Sequence, residues 1–129
     1  MKLSIIIPTL NEAAYLPLTI EKINQNATLG EPHKIVVVDS GSTDETCQIA
    51  LQLGAKLIKS EAKSPGKAYV LNEAAEFATG DVLLFLDADT LVPPRYDQFI
   101  ERALENHAVV GGAFEFALDG SEFGLRVVE

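Results

Sequence analysis

Two carboxylates separated by one residue, Asp87-Ala88-Asp89, follow the apolar run Val82-Leu83-Leu84-Phe85-Leu86. Paired hard oxygen donors of this kind suit Mg²⁺ or Mn²⁺, and such a cation bridges readily to the phosphates of a ligand. Gly80 and Asp81 before the run and Pro93-Pro94 after it bound a segment that reads as a strand buried on both faces. The carboxylates then stand at its C-terminal end, where open α/β sheets bind ligands. A lone Asp-x-Asp also has a plainer reading, because aspartate favours strand ends and turns and recurs by chance in acidic chains.

Three further polar clusters fall at equivalent places. Pro8-Thr9-Leu10-Asn11-Glu12, Asp39-Ser40-Gly41-Ser42 and Ser64-Pro65-Gly66-Lys67 each follow a strand candidate, so all four clusters are expected on one rim of a sheet. Each alone has a structural explanation: Asn11 and Ser42 as helix caps, Gly41 and Gly66 as turn residues, Lys67 as a solvated charge. Together they offer carboxylates, amides, hydroxyls and a cation, which is the equipment of a ligand site.

The elements that must position these clusters alternate along the chain. Residues 3 to 8 form a first strand, after which Leu16, Ile20 and Ile23 recur on one helical face with Pro17 in the first turn. Ile35 to Asp39 is a second buried strand, and Ser42-Thr43-Asp44-Glu45 has the spacing of a capping box opening a helix to about Leu53. Gly54 suits the left-handed position after it, before a short strand from Lys56 to Ser60. Ser64 to Lys67 open a third helix whose buried face carries Val70, Leu71, Ala74, Ala75 and Ala78, stopped by Gly80. Pro93-Pro94 start a fourth helix with Phe99, Ile100, Ala103 and Leu104 inward, and Val109 to Leu118 return as a fifth strand. The order βαβαβαβαβ predicts an α/β fold, a mostly parallel sheet flanked by helices with right-handed crossovers.

Size and composition narrow the function classes. A chain of 129 residues suits one domain, and apolar and charged fractions of 47% and 22% exclude compositional disorder. Ten Lys and Arg against nineteen Asp and Glu give 10 − 19 = −9, which argues against nucleic acid as a partner. An anionic ligand therefore needs a cation. Leu3-Ser4-Ile5-Ile6-Ile7 is too short for the core of a signal peptide, and no run approaches the roughly 18 to 20 apolar residues of a spanning helix. A cytoplasmic protein is expected. Cys47, the single cysteine, fits a reducing compartment, and beside Ala50 and Leu51 on a helical face it reads as a small core residue rather than a nucleophile.

Neither the dinucleotide fingerprint Gly-x-Gly-x-x-Gly nor a Walker-type loop is present, so NAD and ordinary NTPase chemistry lose their main support. Instead, Ile5-Ile6-Ile7-Pro8-Thr9-Leu10-Asn11-Glu12, Val36-Val37-Val38-Asp39-Ser40-Gly41-Ser42-Thr43-Asp44 and Asp87-Ala88-Asp89-Thr90 resemble, in order and spacing, the family 2 glycosyltransferases of the GT-A fold. The resemblance covers residue 3 to about 116. It implies a Rossmann-like nucleotide-binding half and a nucleotide-diphosphate sugar as ligand. It further implies that Pro8, Thr9, Leu10, Asn11, Glu12 and Asp39 hold base and ribose, with Gly66, Lys67, Asp87 and Ala88 completing the nucleotide-sugar site. Asp89 would ligate Mg²⁺ or Mn²⁺ on the diphosphate while Asp87 assists. Lys67 stands where many relatives carry arginine, supplying charge without a bidentate fork.

Departure of a sugar from a diphosphate builds negative charge on the nucleotide, which a cation and a basic side chain stabilise. An inverting member also needs a carboxylate to deprotonate the acceptor. In relatives that base lies in a later acidic motif of an acceptor-binding half, and this half is largely absent from residues 1 to 129. Glu115, Asp119 and Glu122 remain, none in a recognisable motif, so the catalytic base is unassigned. Gly111-Gly112 before Ala113-Phe114-Glu115-Phe116 resembles the strand bordering the reaction centre, although a bulge or tight packing explains the glycines equally well. Phe114, Phe116, Leu118, Phe123, Leu125, Val127 and Val128 would lack their usual cover, which predicts self-association through the C-terminal region. The acceptor is an unspecified saccharide or lipid, the latter implying peripheral membrane contact.

Two other readings compete. One is a non-catalytic nucleotide-sugar-binding module or a truncated fragment completed by another polypeptide. The other starts from Leu84-Phe85-Leu86-Asp87-Ala88-Asp89, which also resembles the nucleophile motif of haloacid-dehalogenase-type phosphatases. Leu91 departs from that pattern, and only Arg126 follows Arg102 as a basic residue.

Overall fold

Three consecutive isoleucines, Ile5, Ile6 and Ile7, are fully buried, which requires a strand with neighbours on both edges and helices on both faces. That strand is β1 (Leu3–Thr9). A computed structural model describes residues 1–30, 33–60, 67–116 and 123–128, with backbone alone at Lys67, Glu115, Phe116 and 123–128. β1 lies between β2 (Lys34–Asp39) and β4 (Val82–Phe85), with β3 (Lys56–Lys59) outside β2, in the parallel order β3-β2-β1-β4.

The two periodicities meet in two cores. Ile5, Ile7 and Val37 pack with Leu16, Ile20 and Ile23 of α1 (Leu16–Asn26), Ala50 of α2 (Thr46–Gln52), and Tyr96 and Ile100 of α4 (Tyr96–Leu104). Ile6, Val36 and Val38 point the other way, onto Val70 and Ala74 of α3 (Lys67–Ala75). Each fully buried Ile contributes roughly 1.5–3 kcal/mol. Pro17 occupies the first turn of α1, where its missing N–H removes no helical bond. Gly54 follows α2 at φ +83°, the left-handed turn expected of it.

The structure corrects three expectations. The run from Val82 was expected to be buried on both faces through Leu86, yet β4 is an edge strand ending at Phe85, with Leu83 39% and Phe85 48% exposed. The reason is that α3 covers β1 and β2 on that face and stops short of β4. Ser42 was expected to open a capping box, but α2 begins at Thr46, whose amide is bonded by the Asp44 carboxylate at 3.0 Å. The fifth strand is shorter, β5 (Gly111–Phe116), and pairs antiparallel with β6 (Phe123–Val128) in a separate two-stranded sheet. Leu118 lies outside the described residues.

Candidate functional site

Parallel register brings the strand ends level. Thr9 faces Asp39 and Asp39 faces Lys59, so the chain leaves β1, β2 and β3 on the same rim. α3 runs back from this rim, because the turn after it delivers Gly80 to Ser4 and Lys2 at the opposite end of β1. The N-terminus of α3, with Lys67, is therefore on the rim as well. The side chain of Lys67, like Gly66 and the rest of 61–66, is outside the described residues.

The loops after β1 and β2 are tied together by side chains. Asn11 adopts φ +54°, a left-handed conformation that asparagine tolerates better than most residues. Its backbone N–H donates to Ser42 Oγ at 2.8 Å, and its Oδ1 accepts the Thr43 amide at 2.8 Å. The Glu12 amide donates to Thr46 Oγ1 at 2.9 Å and the Ala13 amide to Asp44 Oδ2 at 3.2 Å. Pro8 and Thr9 are the last residues of β1, whereas Leu10 projects outward, 55% exposed.

Asp39 lies beneath this lacing, 2% exposed. Its Oδ1 accepts the hydroxyls of Thr9 at 2.8 Å and Ser42 at 2.5 Å. Its Oδ2 accepts the amides of Gly41 at 3.0 Å and Ser42 at 2.8 Å. Gly41, at φ +106°, supplies the backbone conformation that turns these amides inward. Burial works against ionisation of Asp39, but the bonds from Ser42, Thr9 and Gly41 outweigh it and hold its pKa below the ordinary value. Four donors fill the acceptor capacity of a carboxylate. Cys47, half-buried in the first turn of α2, has its thiol pKa raised by burial and by Asp39, against a role as nucleophile. Leu51 turns away, 60% exposed, rather than sharing a buried face with it.

The Asp-x-Asp forms a tight turn off β4. The Leu86 amide continues the sheet to the Ile6 carbonyl at 2.9 Å, and the Thr90 amide closes onto the Asp87 carbonyl at 3.0 Å. Ala88 is buried while Asp87 and Asp89 are exposed, so the two carboxylates flank a fixed centre. That centre is held by Thr19 of α1, whose hydroxyl lies 2.5 Å from the Ala88 carbonyl oxygen. Glu12 has its pKa raised by partial burial and then by repulsion from Asp89, Asp44 and Asp87.

Sequence reasoning missed Thr19, Thr46 and the linking role of Asp44. Thr19 had a signal: it is a polar residue on the apolar face defined by Leu16, Ile20 and Ile23. Beside the turn a groove of about 690 Å³ follows the outer edge of β4, bounded by Asp87, Thr90, Ile100, Leu104, Gly112 and Phe114. Gly111 and Gly112 line the same groove as Asp87 and Thr90.

A sequence profile described as Glycosyl transferase family 2 matches residues 4–127. The chain belongs to this family. Over 90 residues, this family 2 chain is 46% identical to a PGL/p-HBAD biosynthesis glycosyltransferase of Mycobacterium tuberculosis, covering 67% of this chain and 34% of the relative. Among solved structures it resembles Staphylococcus aureus TarS residues 1–349 in complex with UDP, with TM-score 0.73, 28% identity, and 84% and 33% of the two chains covered. It also resembles glucosyl-3-phosphoglycerate synthase of Mycobacterium tuberculosis in complex with Mn²⁺, UDP and glucosyl-3-phosphoglycerate, with TM-score 0.64, 28% identity, and 81% and 38% covered. The chain spans about a third of the length of the curated relatives it matches. The family 2 match extends over both sides of the Asp-x-Asp, whereas the phosphatase resemblance stays confined to six residues. Among the described residues no helix is long and apolar enough to cross a membrane.

Proposed function

We propose that this chain is the nucleotide-sugar-binding part of a glycosyltransferase and holds a nucleoside diphosphate sugar through a divalent cation at the C-terminal rim of its parallel sheet. The observation that carries this reading is geometric: the loops after β1 and β2 are laced together by Asn11–Thr43 and Ala13–Asp44, and the Asp87-Ala88-Asp89 turn leaves the parallel neighbour β4 on the same side, anchored to α1 through Thr19. Carboxylates at the end of a strand are hard oxygen donors, the chemistry that Mg²⁺ or Mn²⁺ takes. The donor set therefore fits such an ion. Among the described residues no three His, Cys, Asp or Glu side chains form a ready cage, so phosphate oxygens and water would complete the shell. The UDP in one crystallised relative, and UDP with Mn²⁺ in another, support the same assignment.

In this reading Asp89 is the principal metal ligand and Asp87 assists. Bound there, the cation would offset the charge that develops on the departing diphosphate. Thr9 to Glu12 and Asp39 form the base and ribose end. Because Asp39 is already saturated by four donors, a base reaches it by displacing the hydroxyl of the half-buried Ser42. Lys67, at the start of α3, adds positive charge at the phosphates. The acceptor is a saccharide or a lipid, and its deprotonating base belongs to no residue assigned here.

Calorimetry with UDP and GDP, with and without Mn²⁺, tests the reading on the native chain and on Asp89→Ala. Metal-dependent binding that weakens at least about tenfold in the variant is expected. Binding indifferent to both metal and Asp89 defeats it. A second reading is a binding module that holds the nucleotide sugar without turnover. Sugar release or transfer from a panel of nucleotide sugars separates the two. Self-association through the C-terminal region belongs to the same proposal, although Phe114 packs against the core and the side chains of Phe116, Leu118, Phe123, Leu125, Val127 and Val128 lie outside the described residues. A monomer mass independent of concentration in ultracentrifugation removes that part.

A further inference from the structure

Helix α1 grips the Asp-x-Asp segment at two points. Thr19 Oγ1 lies 2.5 Å from the Ala88 carbonyl oxygen, and Asn26 Nδ2 donates to the Val92 carbonyl at 2.8 Å. Seven residues apart, the two side chains stand on one helical face two turns from each other. The segment from Ala88 to Val92 is laid along that face.

Thr19 is fully buried among apolar neighbours. Its hydroxyl does not need Ala88 for its own satisfaction, because the Tyr15 carbonyl one turn back in the chain is also within reach at 3.1 Å. The shorter contact goes to a residue 69 positions away, at the peptide between the two carboxylates. Fixing that carbonyl fixes the Ala88–Asp89 peptide plane, and with it the place from which Asp89 leaves the turn, while the Thr90 amide on the Asp87 carbonyl closes the turn around it. We propose that Thr19 is a positioning residue for the metal-binding turn, with Asn26 anchoring the same segment downstream. This rests on the reading of Asp89 and Asp87 as cation ligands.

The test compares the native chain with Thr19→Val, which replaces the hydroxyl by a methyl, and Thr19→Ser, which keeps it. Mn²⁺ affinity in the presence of UDP, read by electron paramagnetic resonance, is expected to fall about tenfold in the valine variant and to stay within about twofold in the serine variant. In metal-free protein, amide exchange at Thr90, whose N–H closes the turn, should quicken about tenfold in Thr19→Val while exchange at Ile6 is unchanged. A merely structural role would raise both amides together or neither. Asn26→Ala, at a half-buried site, is the second variant and carries the comparison if Thr19→Val does not fold, with an expected loss of about two- to fivefold. Native-like Mn²⁺ affinity and native-like Thr90 exchange in a folded variant overturn the inference alone. Failure of the native chain to bind Mn²⁺ overturns the metal reading and this inference with it.

Discussion

The Thr9 hydroxyl donates to the Asp39 carboxylate at 2.8 Å, joining register partners at the ends of adjacent strands. Asp39 thereby joins two loops, since the same carboxylate takes both the Gly41 and Ser42 amides. Asp39→Ala leaves the buried Thr9 hydroxyl and the half-buried Ser42 amide and hydroxyl without their acceptor, and a loss of about 2–3 kcal/mol is expected in urea denaturation. Thr9→Val removes one donor of four and should lose about 1 kcal/mol. Equal losses in the two variants would show that Asp39 acts on Thr9 alone and does not organise the second loop.

Asn11 separates backbone strain from side-chain bonding. Both Asn11→Gly and Asn11→Ala lose the bond to the Thr43 amide, but only alanine must hold φ +54° with a Cβ. Left-handed geometry costs an ordinary residue about 1 kcal/mol. The alanine variant should therefore be the less stable of the two by about that amount in thermal denaturation. The reverse order would mean that the loop relaxes out of the left-handed conformation.

Gly80 is constrained by space rather than by φ. A Cβ there would lie 2.7 Å from the Lys2 carbonyl oxygen, 2.7 Å from Ser4 Oγ and 2.8 Å from the Ser4 amide nitrogen. Two of those neighbours are backbone, of Ser4 in β1 and of Lys2 just before it, and cannot turn aside. Gly80→Ala is expected to lower stability by about 2 kcal/mol, since β4 must shift against β1. Gly54→Ala meets open space and pays only for φ +83°, about 1 kcal/mol. Denaturation midpoints of the two variants should fall in that order.

The fold was legible where a local period answered a local question. Leu16, Ile20 and Ile23 mark the buried face of α1, and the runs at 5–7 and 36–38 mark strands covered on both sides. The failure at Leu83 and Phe85 has the opposite cause, because an apolar run does not say whether its strand lies inside a sheet or at its edge. That depends on where α3 packs. The common side of the clusters after β1, β2 and β4 was also legible, since strand–helix alternation sends those strand ends one way, whereas Ser64 to Gly66 lie outside the described residues. The bonds that organise the rim were not, because Asp44 read locally as part of a capping box and Thr46 as a helix residue, while they serve Ala13 and Glu12, 31 and 34 positions away.

Asp97 shows the same limit far from the rim, and it gives the acid sensitivity of the fold a test. Fully buried in the first turn of α4, its carboxylate accepts the Thr28 amide and hydroxyl at 2.9 Å, the Leu29 amide at 3.0 Å and the His33 ring at 2.8 Å. Burial alone would raise its pKa, but the bonds from Leu29, His33 and Thr28 win and lower it to about 2 from 3.8. A folded-state value below the unfolded one contributes stability that is complete above about pH 4 and is lost as pH falls through about 2. The drop corresponds to about 2 kcal/mol at neutral pH. Asp97→Asn should be less stable than the native chain by roughly that amount at pH 7, and the gap should close between about pH 4 and pH 2. Asp39 and Asp44 also have lowered pKa values, so the native curve alone mixes several groups, whereas the difference between the two curves isolates Asp97. A gap in urea midpoints that stays constant from pH 7 to pH 2 would show that Asp97 ties α4 to the loop before β2 by hydrogen bonding alone, without help from its charge.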